Sequence, residues 1–285
     1  MQAASRRRRQ LRKRVGLYLG VAVLLLWSVT TVYPLVWTFF TSLKSNQQIY
    51  ANTWGLPSSF MWQNYPAAVT QGNLLTCLVN SVVITGGSIL ILFFVSPMAA
   101  YVLGRSRFLG KRPIFYAVLA GMYITPQVAL VPMYTLLSNL SLINTYLGLI
   151  LIYVASGLPY CIFISRLGFL SIPTSLEESG KVDGLSTLQR YRKIALPLAM
   201  PTVLIAMILE AIFIWNDFLF PLVFIRSSSL YTLQLGLFMF QGSFLIRYGL
   251  LAAGVIFTTV PLLALYLIFS TRIKRGIAAS LGIKG

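Results

Sequence analysis

The sequence predicts an all-α membrane protein that crosses the bilayer six times. Hydrophobic residues make up 57% of the 285 residues, charged residues make up only 10%, and the mean hydropathy is +0.79. A soluble domain carries about 25% charged residues, so this chain has too few charges to cover a surface that faces water. The apolar residues fall in blocks of about 20, the length that a helix needs to cross a hydrocarbon core.

The six predicted spans alternate with polar connections. In chain order they are expected at residues 15–41, 77–103, 114–136, 144–166, 198–225 and 247–271. The first follows seven basic residues, and its apolar stretch is longer than that of a secretory signal peptide, so we expect an uncleaved helix. Pro126 is expected to kink the third span, because proline removes a backbone hydrogen bond.

The spans define four parts of the chain. A basic tail forms residues 1–14. Residues 15–76 comprise the first span and an outer loop. A membrane core at 77–271 contains one long cytoplasmic connection at 167–197, and a tail at 272–285 ends the chain.

The basic residues predict which side of the membrane each connection faces. If the N-terminus is cytoplasmic, 20 of the 23 basic residues lie inside, and only Lys44, Arg226 and Arg247 lie outside. The positive-inside rule therefore predicts that both termini are cytoplasmic. The net charge of +18 is then a topology signal, and no nucleic acid is expected as a partner.

Composition also excludes several kinds of reactive site. The chain has no histidine and only five acidic residues, so Ser-His triads and histidine metal sites are excluded, and a carboxylate metal cage is not expected. Cys77 and Cys161 are expected near opposite ends of their spans, too far apart for a disulfide. No metal site is predicted.

The long connection at 167–197 begins with a helix signal. It holds three of the five acidic residues. Thr174 and Ser175 are each followed three residues later by a glutamate, Glu177 and Glu178, and either pair could form a capping box. A short helix is therefore predicted to start at this point.

The second half of the same connection carries a turn and another helix signal. Asp183-Gly184 is a turn dipeptide, and Ser186 with Gln189 has the spacing of a second capping box. The connection is predicted to fold as helix, tight turn and helix, ending at Pro197 where the fifth span begins. From composition alone, an amphipathic hairpin lying on the bilayer remains the alternative.

This connection resembles the EAA loop of the membrane subunits of ABC importers, and we call residues 167–197 the EAA-like loop. The matching residues are Glu178-Ser179-Gly180, Gly184 and Ile194-Ala195-Leu196-Pro197. The departure from the family pattern is that its two alanines are Ser179 and Gly180. A glycine inside a helix lowers stability by about 1 kcal/mol relative to alanine.

The resemblance extends over nearly the whole chain and is strongest to carbohydrate permeases similar to the MalG family of maltose transporters. Matching stretches include Tyr33-Pro34, Asn80-Ser81, Pro126-Gln127, Trp215-Asn216-Asp217-Phe218, Tyr231-Thr232-Leu233 and Gly282-Ile283-Lys284-Gly285. It implies the type I ABC importer permease (MetI-like) fold in the cytoplasmic (inner) membrane of a bacterium.

The resemblance implies a non-catalytic subunit that works with several partners. In such importers two permeases form the path, two ATPase subunits bind beneath them, and an extracytoplasmic binding protein delivers a sugar or related polyol. The chain has no Walker A motif, so ATP and Mg²⁺ are expected on the partner ATPase, with no cofactor in this chain. A second, different permease chain and membrane lipid complete the expected partners.

The resemblance also implies that the EAA-like loop couples the chain to the ATPase. Glu178 is expected to pair with the ATPase or to hold the loop, and Gly184 is expected to form the turn. For Asp183 and Gly184, turn formation alone is an equal alternative to partner contact. Three apolar residues, Ile194, Leu196 and Pro197, are expected to pack the loop on the fifth span. The coupling candidates are Glu178, Ser179, Gly180, Asp183, Gly184, Ile194, Leu196 and Pro197.

Polar residues within the spans are candidates for the solute path. A charge without a partner in the bilayer costs several kcal/mol, so Glu210 and Asp217 need partners. Amides and carboxylates could bond sugar hydroxyls, and an indole could stack on a sugar ring. The alternative is that these groups bond neighbouring helices or the partner permease, and for Glu210 that role is slightly favoured. The candidates are Trp215, Asn216, Asp217, Glu210, Asn80 and Gln127.

Two other classes of function are compatible with a polytopic membrane protein. A self-sufficient secondary transporter usually contains an internal repeat, and none is evident in this sequence. A membrane enzyme would need a nucleophile and a base, which a chain without histidine and with few acids does not offer. The sequence therefore favours the importer permease.

Overall fold

The computed structural model describes residues 2–238, 247–261 and 263–264. All regular elements within these residues are helices, which confirms the all-α prediction. The described residues divide into two compact units. One holds residues up to 71 together with 247–257, and the other holds 72–238 together with 258–261 and 263–264.

The first unit begins with three helices, α1 (Gln2–Ser42), α2 (Asn46–Ala51) and α3 (Asn64–Gln71). The predicted first span at 15–41 lies within α1. Its large apolar side chains from Leu17 to Phe39 are mostly exposed in the chain by itself. This exposure fits a helix surrounded by lipid chains or by another membrane helix.

A buried lysine holds the connection after α1. The Lys44 side chain is 2% exposed, and its Nζ donates to the carbonyl oxygens of Asn52 and Thr53 at 3.1 and 3.3 Å. These carbonyls follow the C-terminus of α2, where the helix dipole favours a cation. Lys44 was predicted only as one of the few outer charges, and it is in fact a structural residue of this loop.

The second unit contains the remaining helices up to residue 238. They are α4 (Leu74–Arg105), α5 (Lys111–Ala120), α6 (Pro126–Asn139), α7 (Tyr146–Leu170), α8 (Thr174–Val182), α9 (Thr187–Arg190), α10 (Leu196–Asn216), α11 (Leu219–Phe224) and α12 (Leu233–Phe238). A π-helical turn, Tyr191–Ala195, joins α9 to α10. The last described helix of the chain is α13 (Tyr248–Pro261).

Helices α4, α7 and α10 form the centre of the second unit, and small residues let them approach. A Cβ atom at Gly168 in α7 would lie 2.7 Å from Cβ of Thr202 in α10. A Cβ at Gly87 in α4 would lie 2.9 Å from Cδ1 of Ile150 in α7. Small residues at helix contacts are typical of membrane bundles, where close backbone approach gives the packing energy.

Four described helices are long and apolar enough to cross a membrane. They are Gly16–Ser42, Leu74–Arg105, Tyr146–Leu170 and Thr187–Asn216. A fifth span is present if the bent pair Lys111–Tyr123 and Gln127–Asn139 is counted as one. The predicted sixth span at 247–271 coincides with α13 at its start, and its residues 262 and 265–271 lie outside the described part. The six-span prediction is consistent with this arrangement.

The third predicted span is not one kinked helix. Its two halves are bent by 103° at a break of the helix, and Pro126 is the first residue of α6 instead of an interior kink. Thr125 before it is extended, with ψ at 138°. Proline disfavours a helical conformation in the preceding residue, which explains why the chain breaks at this point.

The fifth predicted span, 198–225, ends earlier than expected. Helix α10 stops at Asn216 because Asp217 is extended, with ψ at 134°. The Asp217 carboxylate accepts the backbone N–H groups of Leu219 and Phe220 at 3.2 and 3.1 Å, at the start of α11. Aspartate is a strong helix-initiating residue, and here this local bonding outweighs the apolar pattern of the following residues.

Candidate coupling site and polar residues of the spans

The first half of the EAA-like loop is a helix closed by a glycine turn, as predicted. Gly184 has φ at +76°, and its N–H donates to the carbonyl of Lys181 at 3.1 Å. The N–H of Leu185 donates to the carbonyl of Gly180 at 2.9 Å, which completes a Schellman closure of α8. A Cβ at Gly184 would meet nothing within 4 Å, so backbone conformation and not crowding requires the glycine.

The second half of the loop starts with the predicted capping box. The N–H of Gln189 donates to Oγ of Ser186 at 3.3 Å, and the N–H of Ser186 donates to Oε1 of Gln189 at 2.8 Å. The second helix of the loop is not separate from the fifth span at Pro197, because one helix runs from Thr187 to Asn216. The N–H of Leu196 donates to the carbonyl of Tyr191, five residues back, and this wider turn precedes the proline.

The capping box predicted at the start of α8 is absent. Helix α8 follows Pro173 without a side-chain cap. Glu177 turns towards α4, where its Oε1 lies 3.1 Å from Nε of Arg105 and its Oε2 accepts the hydroxyl of Tyr101 at 3.0 Å. Both charged side chains are 11% exposed, and theirs is the only ion pair within 2–238, 247–261 and 263–264. We call Tyr101, Arg105 and Glu177 the α4 clamp.

An aromatic cluster surrounds the α4 clamp. The ring of Tyr101 lies 5.5 Å from that of Phe169 in α7 and 5.2 Å from that of Tyr191 in the π-helical turn. Arg105 also donates through Nη2 to the carbonyl of Ile172. These contacts shield the ion pair and connect α4, α7 and the EAA-like loop at one place.

The neighbouring coupling candidates divide into an exposed set and a packed set. Gly180 is buried, and a Cβ there would lie 2.6 Å from Cδ1 of Ile194. The glycine that departs from the EAA pattern therefore lets α8 lie close to the π-helical turn. Ile194 and Leu196 are partly buried, as a packing role requires. The exposed candidates are Glu178, Ser179, Asp183, Gly184 and Pro197.

The amide of Asn80 has a structural role in the second unit. Its Nδ2 donates to the carbonyls of Ser229 and Tyr231, both at 2.9 Å, and its Oδ1 accepts the hydroxyl of Tyr146 at 2.7 Å. Asn80 is 1% exposed. Because its hydrogen-bonding groups are all used, its contacts favour the structural alternative over the solute path.

Asp217 and Trp215 are also held within the fold. Besides the two backbone groups of α11, Asp217 accepts the hydroxyl of Tyr153 at 2.8 Å. Trp215 is 6% exposed, and its Nε1 has no hydrogen-bond partner among the described residues. Asp217 lies beyond the end of α10, so it does not share a helix face with Glu210.

Glu210 lies where α7 and α10 touch. It is 6% exposed, and a Cβ at Gly157 would lie 2.4 Å from its Oε1. The carboxyl group therefore occupies the notch that the glycine leaves. Asn216 and Gln127 are exposed, and the Asn216 amide donates to the carbonyl of Ile212 in its own helix at 2.8 Å.

With this geometry in view, comparison with known proteins decides the family. Residues 52–277 match the family described as binding-protein-dependent transport system inner membrane component. The chain belongs to this family. It is thus a permease subunit: a non-catalytic, multi-pass membrane component of a binding-protein-dependent importer.

Curated relatives of the permease match it over almost its full length. The probable ABC transporter permease protein YurM of Bacillus subtilis is 36% identical, over 92% of this chain and 87% of its own. The diacetylchitobiose uptake system permease protein NgcG of Streptomyces coelicolor is 33% identical, over 90% of this chain and 86% of its own. These matches confirm the predicted resemblance to carbohydrate permeases.

A solved structure confirms the fold. A chain of a bacterial ABC transporter involved in the import of the acidic polysaccharide alginate superimposes with a TM-score of 0.80. The match covers 90% of the permease and 96% of that chain, at 20% sequence identity. The predicted importer-permease fold is therefore the fold of this chain.

Three residues that hold either the EAA-like loop or the 226–227 segment in place were not identified from the sequence. Tyr101 and Arg105 were not recognised as partners of the EAA-like loop, because α4 is distant from it in the chain. Asn144, with φ at +60°, accepts the N–H groups of Arg226 and Ser227, both at 2.9 Å. An asparagine just before a span is a local signal of a turn, but its partners in the 226–227 segment leave no trace in the sequence pattern.

Proposed function

We propose that this permease imports a sugar or related polyol, paired with a second and different permease. Two ATPase subunits bind on the cytoplasmic side, and an extracytoplasmic binding protein delivers the solute from the other side. Both termini and the EAA-like loop are cytoplasmic in this arrangement, with the basic tails at 1–14 and 272–285 on that side. The outer loop within 15–76 faces the binding protein's side.

The form of the EAA-like loop is the observation that carries the proposal. Helix α8 and the residue that follows it, Asp183, expose a mostly polar surface that also includes Glu178, Ser179 and Val182, of which Val182 is 88% exposed. An apolar residue beside a carboxylate pair on a short exposed helix suits insertion into a cleft of a partner protein. The rigid Schellman turn and the continuous helix after it would carry movement of α8 into α10.

The names of relatives support a carbohydrate as solute. One relative is a diacetylchitobiose permease, another is the multiple sugar-binding transport system permease protein MsmG of Streptococcus mutans, and a related solved transporter imports alginate. These solutes share rings with many hydroxyl groups. Amide and aromatic side chains can bind such rings and hydroxyl groups in a solute path.

Within the permease, the solute path is proposed to be lined by Gln127 and Asn216. Both are exposed in the chain by itself, so a solute or the second permease can reach them. Glu210 is proposed to lie at the edge of the path, in the notch at Gly157. Of the remaining candidates, Asp217 and Asn80 are proposed to hold the wall of the path in place through the contacts described above, and Trp215 through its burial in the second unit.

A pull-down in mild detergent, followed by reconstitution, tests the proposal. The expected result is recovery of an ATPase with a Walker A motif and a second permease, with uptake into liposomes that requires ATP and a binding protein. A panel of sugars, including diacetylchitobiose and trehalose, is screened by thermal shift of the recovered binding protein. Uptake by the chain alone, without ATP, would instead establish a secondary transporter.

A further inference from the structure

The EAA-like loop is attached to the spans by two different routes. The first route is covalent: α9, the π-helical turn and α10 form one helix from Thr187 to Asn216. The second route is the α4 clamp, in which Glu177 of α8 meets Arg105 and Tyr101 at the end of α4. The residues that match the family's loop motif lie on the first route. The residues of the α4 clamp are not among them.

Helix α8 has few other buried contacts. Its buried residues are Glu177 and Gly180 alone, and the remaining seven residues of the helix are exposed. Gly180 packs on Ile194 and so belongs to the first route. The orientation of α8 relative to α4 therefore depends mainly on the Glu177 carboxylate.

The charges make this link specific. Glu177 is the only one of the three acidic residues of the loop that is buried, since Glu178 and Asp183 are exposed. The two oxygens of the Glu177 carboxylate meet different partners: Oε1 lies 3.1 Å from Nε of Arg105 as an ion pair, and Oε2 accepts a hydrogen bond from Tyr101, which gives the link its direction. The two adjacent glutamates thus face different surroundings, Glu177 towards α4 and Glu178 towards the surface.

We propose that Arg105 and Glu177 are positioning residues of the transport cycle, which make α4 move together with α8 when the ATPase subunits close. This inference rests on the proposed function. Closure of the ATPase subunits then rotates two spans together. Helix α10 moves because it is continuous with the loop, and α4 moves because the α4 clamp links it to α8. A purely structural ion pair would stabilise the loop, but the movement of α4 would not depend on it.

The test measures the distance between α4 and α8 in the assembled transporter. Spin labels are placed at Val102→Cys and Ser175→Cys, two exposed positions, in the complete complex in lipid nanodiscs. Distances are compared without nucleotide and after trapping with ATP and vanadate. Retention of radiolabelled ADP verifies that the ATPase subunits have closed.

In the transporter with an intact clamp, the distance between the two spin labels should change by no more than about 2 Å on trapping, which is the size of ordinary helix shifts. In Arg105→Gln and in Glu177→Gln it should change by more than that, while ADP is still trapped. The reversed pair, Arg105→Glu with Glu177→Arg, should restore a constant distance. Arg107→Gln, which changes an exposed arginine of the same segment, is the matched control and should behave as the unmodified clamp.

A milder variant keeps the test decisive if the charge variants assemble poorly. Tyr101→Phe removes one hydrogen bond of the clamp and leaves the aromatic cluster, so it should give a smaller change in the same direction. The inference is overturned if Arg105→Gln and Tyr101→Phe both keep a constant distance while trapping ADP, or if the unmodified distance itself changes by several ångströms. If no ADP is trapped in the unmodified complex, the proposed function fails first, and the clamp with it.

Discussion

The EAA-like loop and the segment from 217 to 233 are both held against the spans, but by different kinds of contact. The 217–233 segment is fixed largely by uncharged amides and hydroxyls: Asn80, Asn144 and Tyr153 bond its backbone and side chains, and Tyr146 bonds the amide of Asn80 in turn. The EAA-like loop depends on one ion pair and one aromatic cluster. A segment that makes many neutral hydrogen bonds stays in place when any one of them breaks. A segment held by one ion pair is released when that single pair breaks.

The difference suits the roles that we propose for the two regions. A wall of a solute path has to keep its shape through the transport cycle. A coupling element has to transmit a movement as a rigid body through a small number of defined joints. The following predictions test whether the EAA-like loop is held by a few contacts and the 217–233 segment by many.

The largest effect is expected for Glu177→Ala. The substitution leaves the guanidinium of Arg105 without its carboxylate in a nearly buried site, which should lower the free energy of unfolding by about 3 kcal/mol. Unfolding by SDS in mixed micelles measures the change. Glu178→Ala, one residue away and exposed, is the control and should be close to neutral. Equal losses for the two variants would contradict the clamp.

A smaller effect is expected for Asn80→Leu, which tests the distributed attachment. The substitution leaves the carbonyls of Ser229 and Tyr231 and the hydroxyl of Tyr146 without a partner, at a cost of about 2 kcal/mol. Hydrogen exchange should increase at 228–233 but not in the EAA-like loop. Asn216→Leu, at an exposed amide, serves as control, and increased exchange in both regions would argue against separate attachments.

Gly184→Val should destabilise the turn of the EAA-like loop by about 1–2 kcal/mol, because a β-branched residue is strained at positive φ. It should also reduce the amount of ATPase that co-purifies with the permease. Gly184→Asn is the matched control, since asparagine tolerates this conformation. If valine and asparagine gave the same stability and the same ATPase recovery, the turn would not matter for docking.

The smallest effect is expected at Gly180, where helix propensity and packing oppose each other. Gly180→Ala should gain propensity, but its Cβ meets Cδ1 of Ile194, so the single variant should be nearly neutral. Ile194→Val removes that atom, and the double variant should be more stable than the sum of the singles by about 0.5 kcal/mol. The same unfolding titration measures all three, and strict additivity would contradict the proposed close contact.

The elements whose determinants are local could be predicted from the sequence. The Ser186–Gln189 capping box and the Gly184 turn were predicted correctly because the bonded groups lie within a few residues of each other. The loop's resemblance to the EAA motif likewise gave the family. The alternating blocks of apolar residues gave the approximate positions of the spans.

Prediction from the sequence failed where a local pattern competes with a distant partner. Glu177 has the spacing of a capping residue, but its carboxylate instead pairs with Arg105 and accepts the hydroxyl of Tyr101, both in another helix. Asp217 interrupts an apolar run because its carboxylate bonds the next helix and Tyr153. No pattern within one span reveals such partners, so the sequence alone leaves Asn80 and Asp217 as candidates for the solute path.

Site-specific photocrosslinking from α8 tests the central claim, that the EAA-like loop is the docking element for the ATPase, most directly. A photoreactive residue at Val182, in membranes that contain the complete transporter, should form a covalent adduct with the ATPase subunit, and the same residue at Trp54, in the proposed outer loop, should not. That result would agree with the coupling role of the loop. Absence of an ATPase adduct from Val182 in membranes where ATP-dependent uptake is intact would contradict it.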